Sequence, residues 1–119
     1  MANIVATDVT YTIRDRTKIG KRQLIFASVV FGDAIDTYPS GGVPLTTTKF
    51  EVNNLNSVEI FESNGKALLY EWDRDANTIR IFNPTQETNS NTNRAGVEYV
   101  AATTAPAATT LEVEVIGYN

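Results

Sequence analysis

Strict alternation of apolar and polar residues marks the end of the chain as a β-strand. Between Thr110 and Ile116, a leucine and two valines alternate with a threonine and two glutamates. A period of two places the three apolar side chains on one face of a strand, whereas a helix would scatter the glutamates around its circumference. We therefore expect an apolar face that packs into a core, with Glu112 and Glu114 in water.

A second alternating region, from Ser57 to Phe82, predicts a meander of three antiparallel strands. Its first strand covers Ser57 to Glu62 and leads into Asn64-Gly65, the pair that supplies the two positive-φ residues of a type I′ hairpin turn. The return strand runs from Ala67 to Asp73, and Thr78 to Phe82 forms the third strand.

The first third of the chain adds two strands and a loop. Val9, Tyr11 and Ile13 alternate with polar residues, while the nearly continuous apolar run from Leu24 to Phe31 is typical of a central strand covered on both faces. Two prolines and two glycines make the segment from Thr37 to Pro44 a loop.

With a further strand at Val97 to Ala101, the pattern predicts about seven or eight strands and little helix. The expected fold is all-β, an antiparallel β-sandwich or jelly-roll-like domain, although alternation alone also allows a closed barrel. We expect a single domain, in which residues 1–22 form an N-terminal strand or arm and residues 23–119 form the sandwich body.

Charge is distributed unevenly along the 119 residues, whose formal net charge is −4. Five of the ten cations lie within nine residues, and the rest of the chain carries five cations against thirteen carboxylates. These five are Arg14, Arg16, Lys18, Lys21 and Arg22. Nucleic-acid binders usually spread lysine and arginine over a whole face, so this distribution disfavours a nucleic-acid partner.

The chain also lacks the 18 consecutive apolar residues of a membrane span, and its first residues lack the features of a secretory signal. We expect no membrane partner.

Two interpretations of the basic segment from Arg14 to Arg22 remain open. It can be a solvated hairpin, with Gly20 at its turn, whose charges keep an edge strand from pairing. It can also be an electrostatic docking element for an acidic partner surface.

The absence of histidine and cysteine removes most catalytic chemistry. Ser-His and Cys-His nucleophiles, thiolate metal sites and a neutral imidazole base all need one of these residues. A glycosidase pair of carboxylates is still conceivable, but the glutamates alternate with apolar residues and are better explained as the solvated faces of strands. We therefore expect no enzyme activity, no catalytic, metal or cofactor-binding residues and no cofactor.

The segment from Asp73 to Asn77 begins like a calcium loop, because it reads Asp-x-Asp-x-Asn. The sixth position is Thr78 and the twelfth is Pro84, where such a loop needs glycine and glutamate. An ordinary hairpin turn is the preferred interpretation.

Aromatic residues can stack on sugars when they are exposed, but most of those in this chain share strand faces with aliphatic residues. We expect Phe50, Phe61, Tyr70, Trp72 and Phe82 to pack into the core. Tyr38 and Tyr99 lie beside loop residues and are expected to be exposed, so Tyr38 joins the five cations as a candidate partner-binding residue.

Several short motifs occur in a familiar order. They are Phe31-Gly32, the Thr-Tyr-Pro-x-Gly-Gly-x-Pro-Leu loop at Thr37 to Leu45, Tyr-Glu-Trp-Asp at Tyr70 to Asp73, Ile-Arg-Ile-Phe at Ile79 to Phe82, and the closing segment from Leu111 to Tyr118. In this order the chain resembles small virion structural proteins of tailed bacteriophages, and most closely the capsid decoration, or cement, proteins.

The resemblance implies a protein made in the host bacterial cytoplasm that assembles, often as a homotrimer, on the outside of the capsid and clamps neighbouring major capsid protein subunits. It transfers no functional residues. In this setting, residues 1–22 are the first candidate for an arm that reaches the shell. A tail or fibre module that binds host surface glycans is the alternative, and an intracellular polysaccharide-binding or hydrolytic domain is a third class.

Overall fold

The alternating segments form eight β-strands in a computed structural model that describes residues 2–63, 68–83, 97–98 and 105–119. The strands are β1 (Thr10–Ile19), β2 (Arg22–Phe31), β3 (Val43–Pro44), β4 (Asn54–Ser63), β5 (Leu69–Asp73), β6 (Thr78–Asn83), β7 (Val97–Glu98) and β8 (Thr109–Tyr118). Short 3-10 turns at Ala6–Asp8 and Thr47–Phe50 are the helical segments of the described chain, and no helix there is long and apolar enough to cross a membrane.

The larger sheet has four strands in the order β1-β2-β8-β4, and each neighbouring pair is antiparallel. β2 and β8 form its centre and stay in register over ten residue pairs, from Arg22 opposite Tyr118 to Phe31 opposite Thr109. The central position expected for the apolar run of β2 is therefore confirmed, but the expected cover on both faces is not, because Leu24 and Phe26 on its outer side are only half-buried.

The smaller sheet has the order β3-β6-β5, and β7 also pairs with β6. β3 pairs with the start of β6 and β7 with its end, so these two short strands follow one another along the same side of β6. Two antiparallel sheets and no long helix confirm the predicted all-β, sandwich-like fold.

The core lies between the two sheets, because the alternating strands turn their apolar faces toward each other. β8 supplies Leu111, Val113 and Val115, each with no exposed surface, and β6 supplies the equally buried Ile79 and Ile81. The apolar face predicted for the last strand is therefore confirmed.

The predicted three-stranded meander is wrong in one pairing. β4 pairs with β8 in the larger sheet, whereas β5 pairs with β6 in the smaller one. Packing explains the difference, since Val58 and Ile60 of β4 lie opposite Val115 and Val113 and extend the same core face. The Asn64-Gly65 turn lies outside the described residues, and so does the end of the strand predicted at Val97 to Ala101.

Residues 1–22, expected to form an N-terminal strand or arm, contain strand β1 and belong to the folded body from Ala2 onward. Ile4 and Val9 are buried in the core, and β1 pairs with β2 along its whole length. Backbone hydrogen bonds between Ile4 and Thr37, and between Thr37 and Ala2, tie the first residues to a loop. Apolar burial holds this segment in place, so it does not project as a free arm.

Candidate interaction face

The outer face of the larger sheet, which points away from the core, carries large apolar side chains. They are Ile19, Leu24, Phe26, Phe61, Ile116 and Tyr118. Ile19 is 72% exposed, Phe61 57% and Tyr118 42%. Exposed apolar side chains gathered on one face are typical of a protein interaction site.

One end of this outer face is the tip of the β1–β2 hairpin, where Gly20 adopts a φ of +64°. A surface pocket of about 580 Å³ lies there, lined by Ile19, Lys21, Arg22, Asn56 and Tyr118. A smaller apolar groove of about 240 Å³ continues from Ile19 and Arg22 to Leu24 and Ile116. Cations and exposed apolar groups thus share one concave surface.

Phe61 lies on the outer face, where it continues the alternation of Ser57 and Glu59. The register of β4 against β8 shifts between Ile60 and Glu62, so Phe61 is the extra residue. Its ring meets that of Phe26 edge to face, with centroids 6.3 Å apart. The core position predicted for Phe61 is therefore wrong. The bulge instead turns Glu62 to the outer face, since simple alternation would place Glu62 toward the core.

The same strands carry glutamates directly opposite one another. Glu59 on β4 faces Glu114 on β8, and Glu62 faces Glu112. Like charges in such cross-strand pairs destabilise a sheet. Glu59 and Glu62 are exposed and Glu114 is half-buried.

Arg14 neutralises one of these four carboxylates. Its Nε donates to Ser28 Oγ at 2.7 Å and to Glu112 Oε1 at 3.0 Å. Ser28, which is only 3% exposed, donates in turn to the Glu112 carboxylate. Glu112 therefore does not simply point into water, as alternation alone predicted.

Arg16 is also used within the chain, on the opposite side of the sheet. Its guanidinium donates to the Gln23 side chain at 3.2 Å and to the Phe50 carbonyl at 3.4 Å. It also forms an ion pair with Glu51 at 3.1 Å. Arg16 thereby joins β1 to the 3-10 turn at Thr47–Phe50.

Of the six candidate partner-binding residues, three cations remain exposed around the hairpin tip: Lys18, Lys21 and Arg22. No ion pair involves any of the three within the described part of the chain. Lys21 and Arg22 share the outer face, whereas Lys18 lies opposite Gln23 on the other side of the sheet. Arg14 and Arg16 have intramolecular partners.

Tyr38 is the sixth candidate, and its predicted exposure is wrong. The residue is 1% exposed, and its hydroxyl donates to Glu98 Oε2 at 2.6 Å while accepting the backbone N–H of Ile81 at 3.3 Å. Burial, followed by the bond to Glu98, raises the pKa of this phenol well above its ordinary value. Tyr38 is a core residue that ties a loop to β7.

The segment from Asp73 to Asn77 is a hairpin turn between β5 and β6, as preferred over a calcium loop. Asp73 Oδ1 accepts the backbone N–H groups of Asp75 at 3.0 Å and Ala76 at 3.2 Å. Asn77 has a φ of +55°, and its side-chain oxygen accepts from the indole of Trp72 at 3.0 Å. No cluster of three or more potential metal ligands occurs among the residues that the structure describes.

Comparison of this chain with protein-family models, with curated proteins and with solved structures finds no match.

Proposed function

We propose that this chain is a structural protein of a bacteriophage virion that binds the outside of the capsid as a homo-oligomer and bridges neighbouring major capsid protein subunits. The single observation that carries this proposal is the outer face of the larger sheet, which no described strand covers. It combines exposed apolar groups with cations that have no carboxylate partner in the described chain.

The exposed groups fit what a protein interface requires. Binding energy in such interfaces concentrates in a few large apolar or aromatic side chains, while charges around them set specificity and the rate of encounter. Ile19 and Tyr118 provide the first element at the hairpin tip, and Lys21 and Arg22 provide the second.

Net charge supports an exterior position on the capsid. The chain carries a formal charge of −4, so packaged DNA inside the shell would repel it. Weak contacts repeated by several copies on a symmetric shell add up to strong binding by avidity.

Cosedimentation with empty capsids at increasing salt tests the proposal. We expect the protein to sediment with capsids at low salt and to be released as the salt concentration rises, because screening weakens contacts between charged surfaces. Binding to host cells in the absence of capsids, without cosedimentation, would contradict the proposal and favour a glycan-binding tail or fibre module.

A triple variant tests the contribution of the hairpin. Replacing Lys18, Lys21 and Arg22 with serine is expected to abolish most cosedimentation. Lys49→Ser is the matched control, because Lys49 is an exposed cation that lies near Thr10 and Tyr11, at the other end of β1 from the hairpin tip. Undiminished binding by the triple variant would exclude the hairpin from capsid attachment.

A further inference from the structure

The outer face carries two patches of opposite charge that do not meet within one chain. The basic patch consists of Lys21 and Arg22, and the acidic patch consists of Glu59 and Glu114. No ion pair links these four residues to any group in the described chain. Arg22 lies opposite Tyr118, four residues along β8 from Glu114, which at about 3.3 Å per residue separates the patches by roughly 13 Å.

Each patch also includes an exposed apolar side chain. Ile19, 72% exposed, lies opposite Arg22 at the end of the hairpin. Phe61, 57% exposed, follows the Glu59–Glu114 pair along β4. The patches therefore match each other in both respects that matter at an interface, with cations facing carboxylates and apolar groups facing apolar groups.

A two-fold axis that lies in the plane of the outer face pairs each patch with the oppositely charged patch of a second copy. It turns a second copy over and exchanges the two ends of the face, so each basic patch covers the acidic patch of the other copy. Such an isologous contact closes after two copies and leaves neither patch unused. It also supplies cations to the Glu59–Glu114 pair, whose like charges repel in the isolated chain.

The face is large enough for such a contact. Four strands spaced by about 4.8 Å, each ten residues long, give a surface of roughly 19 by 30 Å. Two such surfaces pressed together bury on the order of 1,100 Å², which is close to the lower limit for a specific interface of about 1,000 Å². A dimer of this size dissociates readily on dilution or in salt.

We therefore propose that the outer face binds the outer face of a second copy of this chain, with Lys21 and Arg22 of each copy placed against Glu59 and Glu114 of the other. This dimer forms without a capsid, and it predicts an even number of copies where the resemblance to decoration proteins implies three. Because the proposed capsid contact uses the same residues at the hairpin tip, a capsid and a second copy compete for this face.

Charge reversal tests the pairing through the molar mass of the purified protein, measured by sedimentation equilibrium. We expect a dimer at low salt, and monomers for both K21E/R22E and E59K/E114K. An equimolar mixture of the two variants should form a heterodimer. In it, the acidic hairpin of K21E/R22E lies against the new lysines of E59K/E114K, and the two unchanged patches lie against each other. Lys49→Glu, a reversal outside the face, should leave the dimer intact.

Far-UV circular dichroism shows whether each variant is folded, and the heterodimer itself requires both to be folded. A monomeric wild-type protein at low salt, a trimer that is indifferent to these substitutions, or a mixture that stays monomeric would each overturn the inference. Capsids are absent from this experiment, so its failure leaves the proposed function standing. E59K/E114K keeps the hairpin cations and leaves the face free, so its failure to cosediment with capsids would contradict the proposed function alone.

Discussion

Arg14 on β1 and Glu112 on β8 form an ion pair of 3.0 Å across the strand that separates them. The hydroxyl of Ser28 on that strand, β2, donates to the same carboxylate and lies 2.9 and 2.8 Å from its two oxygens. One half-buried glutamate therefore links three of the four strands of the larger sheet. The stability of this sheet should depend on that single carboxylate.

Glu112→Gln is expected to lower the free energy of unfolding by about 1–2 kcal/mol. Hydrogen bonds to charged groups contribute about 1.5–3 kcal/mol, but Arg14 is 59% exposed and water screens its share. Urea denaturation measures the loss. Glu62→Gln is the matched control: it lies opposite Glu112 and should be neutral or stabilising, because it removes a repelling charge. Equal losses of unfolding free energy in the two variants would contradict the stabilising role given to the Glu112 carboxylate.

Tyr38→Phe is expected to lower the free energy of unfolding by about 1–3 kcal/mol, since it removes a hydroxyl that is bonded to a carboxylate in the core. The backbone N–H of Ile81 loses its acceptor in the same variant. Thermal or urea denaturation gives the difference. Tyr118→Phe, at an exposed position, should have almost no effect, and a similar loss there would refute the role given to Tyr38.

Stability should fall as the pH rises above about 10. Burial raises the pKa of Tyr38 from its ordinary value of 10.0, so the folded chain holds this proton more tightly than the unfolded chain. The resulting stabilisation is complete below the unfolded pKa and is lost as the pH rises toward the folded one. Urea denaturation at successive alkaline pH values measures the decline.

Tyr38→Phe should make this alkaline decline shallower without abolishing it, because burial also raises the pKa of Tyr11. An unchanged slope in the variant would show that other groups cause the decline.

Gly42→Ala is expected to cost about 3 kcal/mol. Gly42 has a φ of +109°, and an added Cβ would lie 2.8 Å from the backbone oxygen of Ile79. A positive φ costs an L-residue roughly 1–2 kcal/mol, and forced overpacking adds about 1–3 kcal/mol. Gly41→Ala provides the comparison, because Gly41 has a φ of +88° with open space around it. We expect it to lose only about 1 kcal/mol, and urea denaturation of both variants checks the order.

The melting temperature should be the same in calcium and in EDTA. The carboxylate of Asp73 is already engaged, since one oxygen accepts two backbone N–H groups and the other lies 3.4 Å from Arg80 Nε. A rise of the melting temperature in calcium would show that the turn binds the ion after all.

Strand positions could be predicted from the sequence because a period of two is a local signal. The alternation in Thr109–Tyr118 needs no knowledge of any other segment, and its predicted core face is buried. Strand partners are not local. β4 pairs with β8, some fifty residues away in sequence, because Val58 and Ile60 complete that core face. The residues near β4 contain no local signal that predicts this pairing.

The candidate face was predictable only in part, for the same reason. Exposure of the cations at the hairpin tip follows from their place beside Gly20. The partners of Arg14 and Tyr38 are Glu112 and Glu98, which lie 98 and 60 residues away, so their intramolecular use becomes visible only in the fold. Phe61 follows the alternation of Ser57 and Glu59 to the outer face, whereas the bulge that places Glu62 on the same face exists only once β4 has paired.

Irregular pairing is concentrated at the two rims of the larger sheet. β1 carries a register shift at Ile13/Asp15, and β4 carries two, at Leu55/Ser57 and Ile60/Glu62, whereas the central strands pair without interruption. A strand of another molecule that paired with either rim would lose its hydrogen-bond register at the bulge. Edge-to-edge pairing is thereby disfavoured at both rims of the larger sheet, so its contacts with other molecules should form through its outer face.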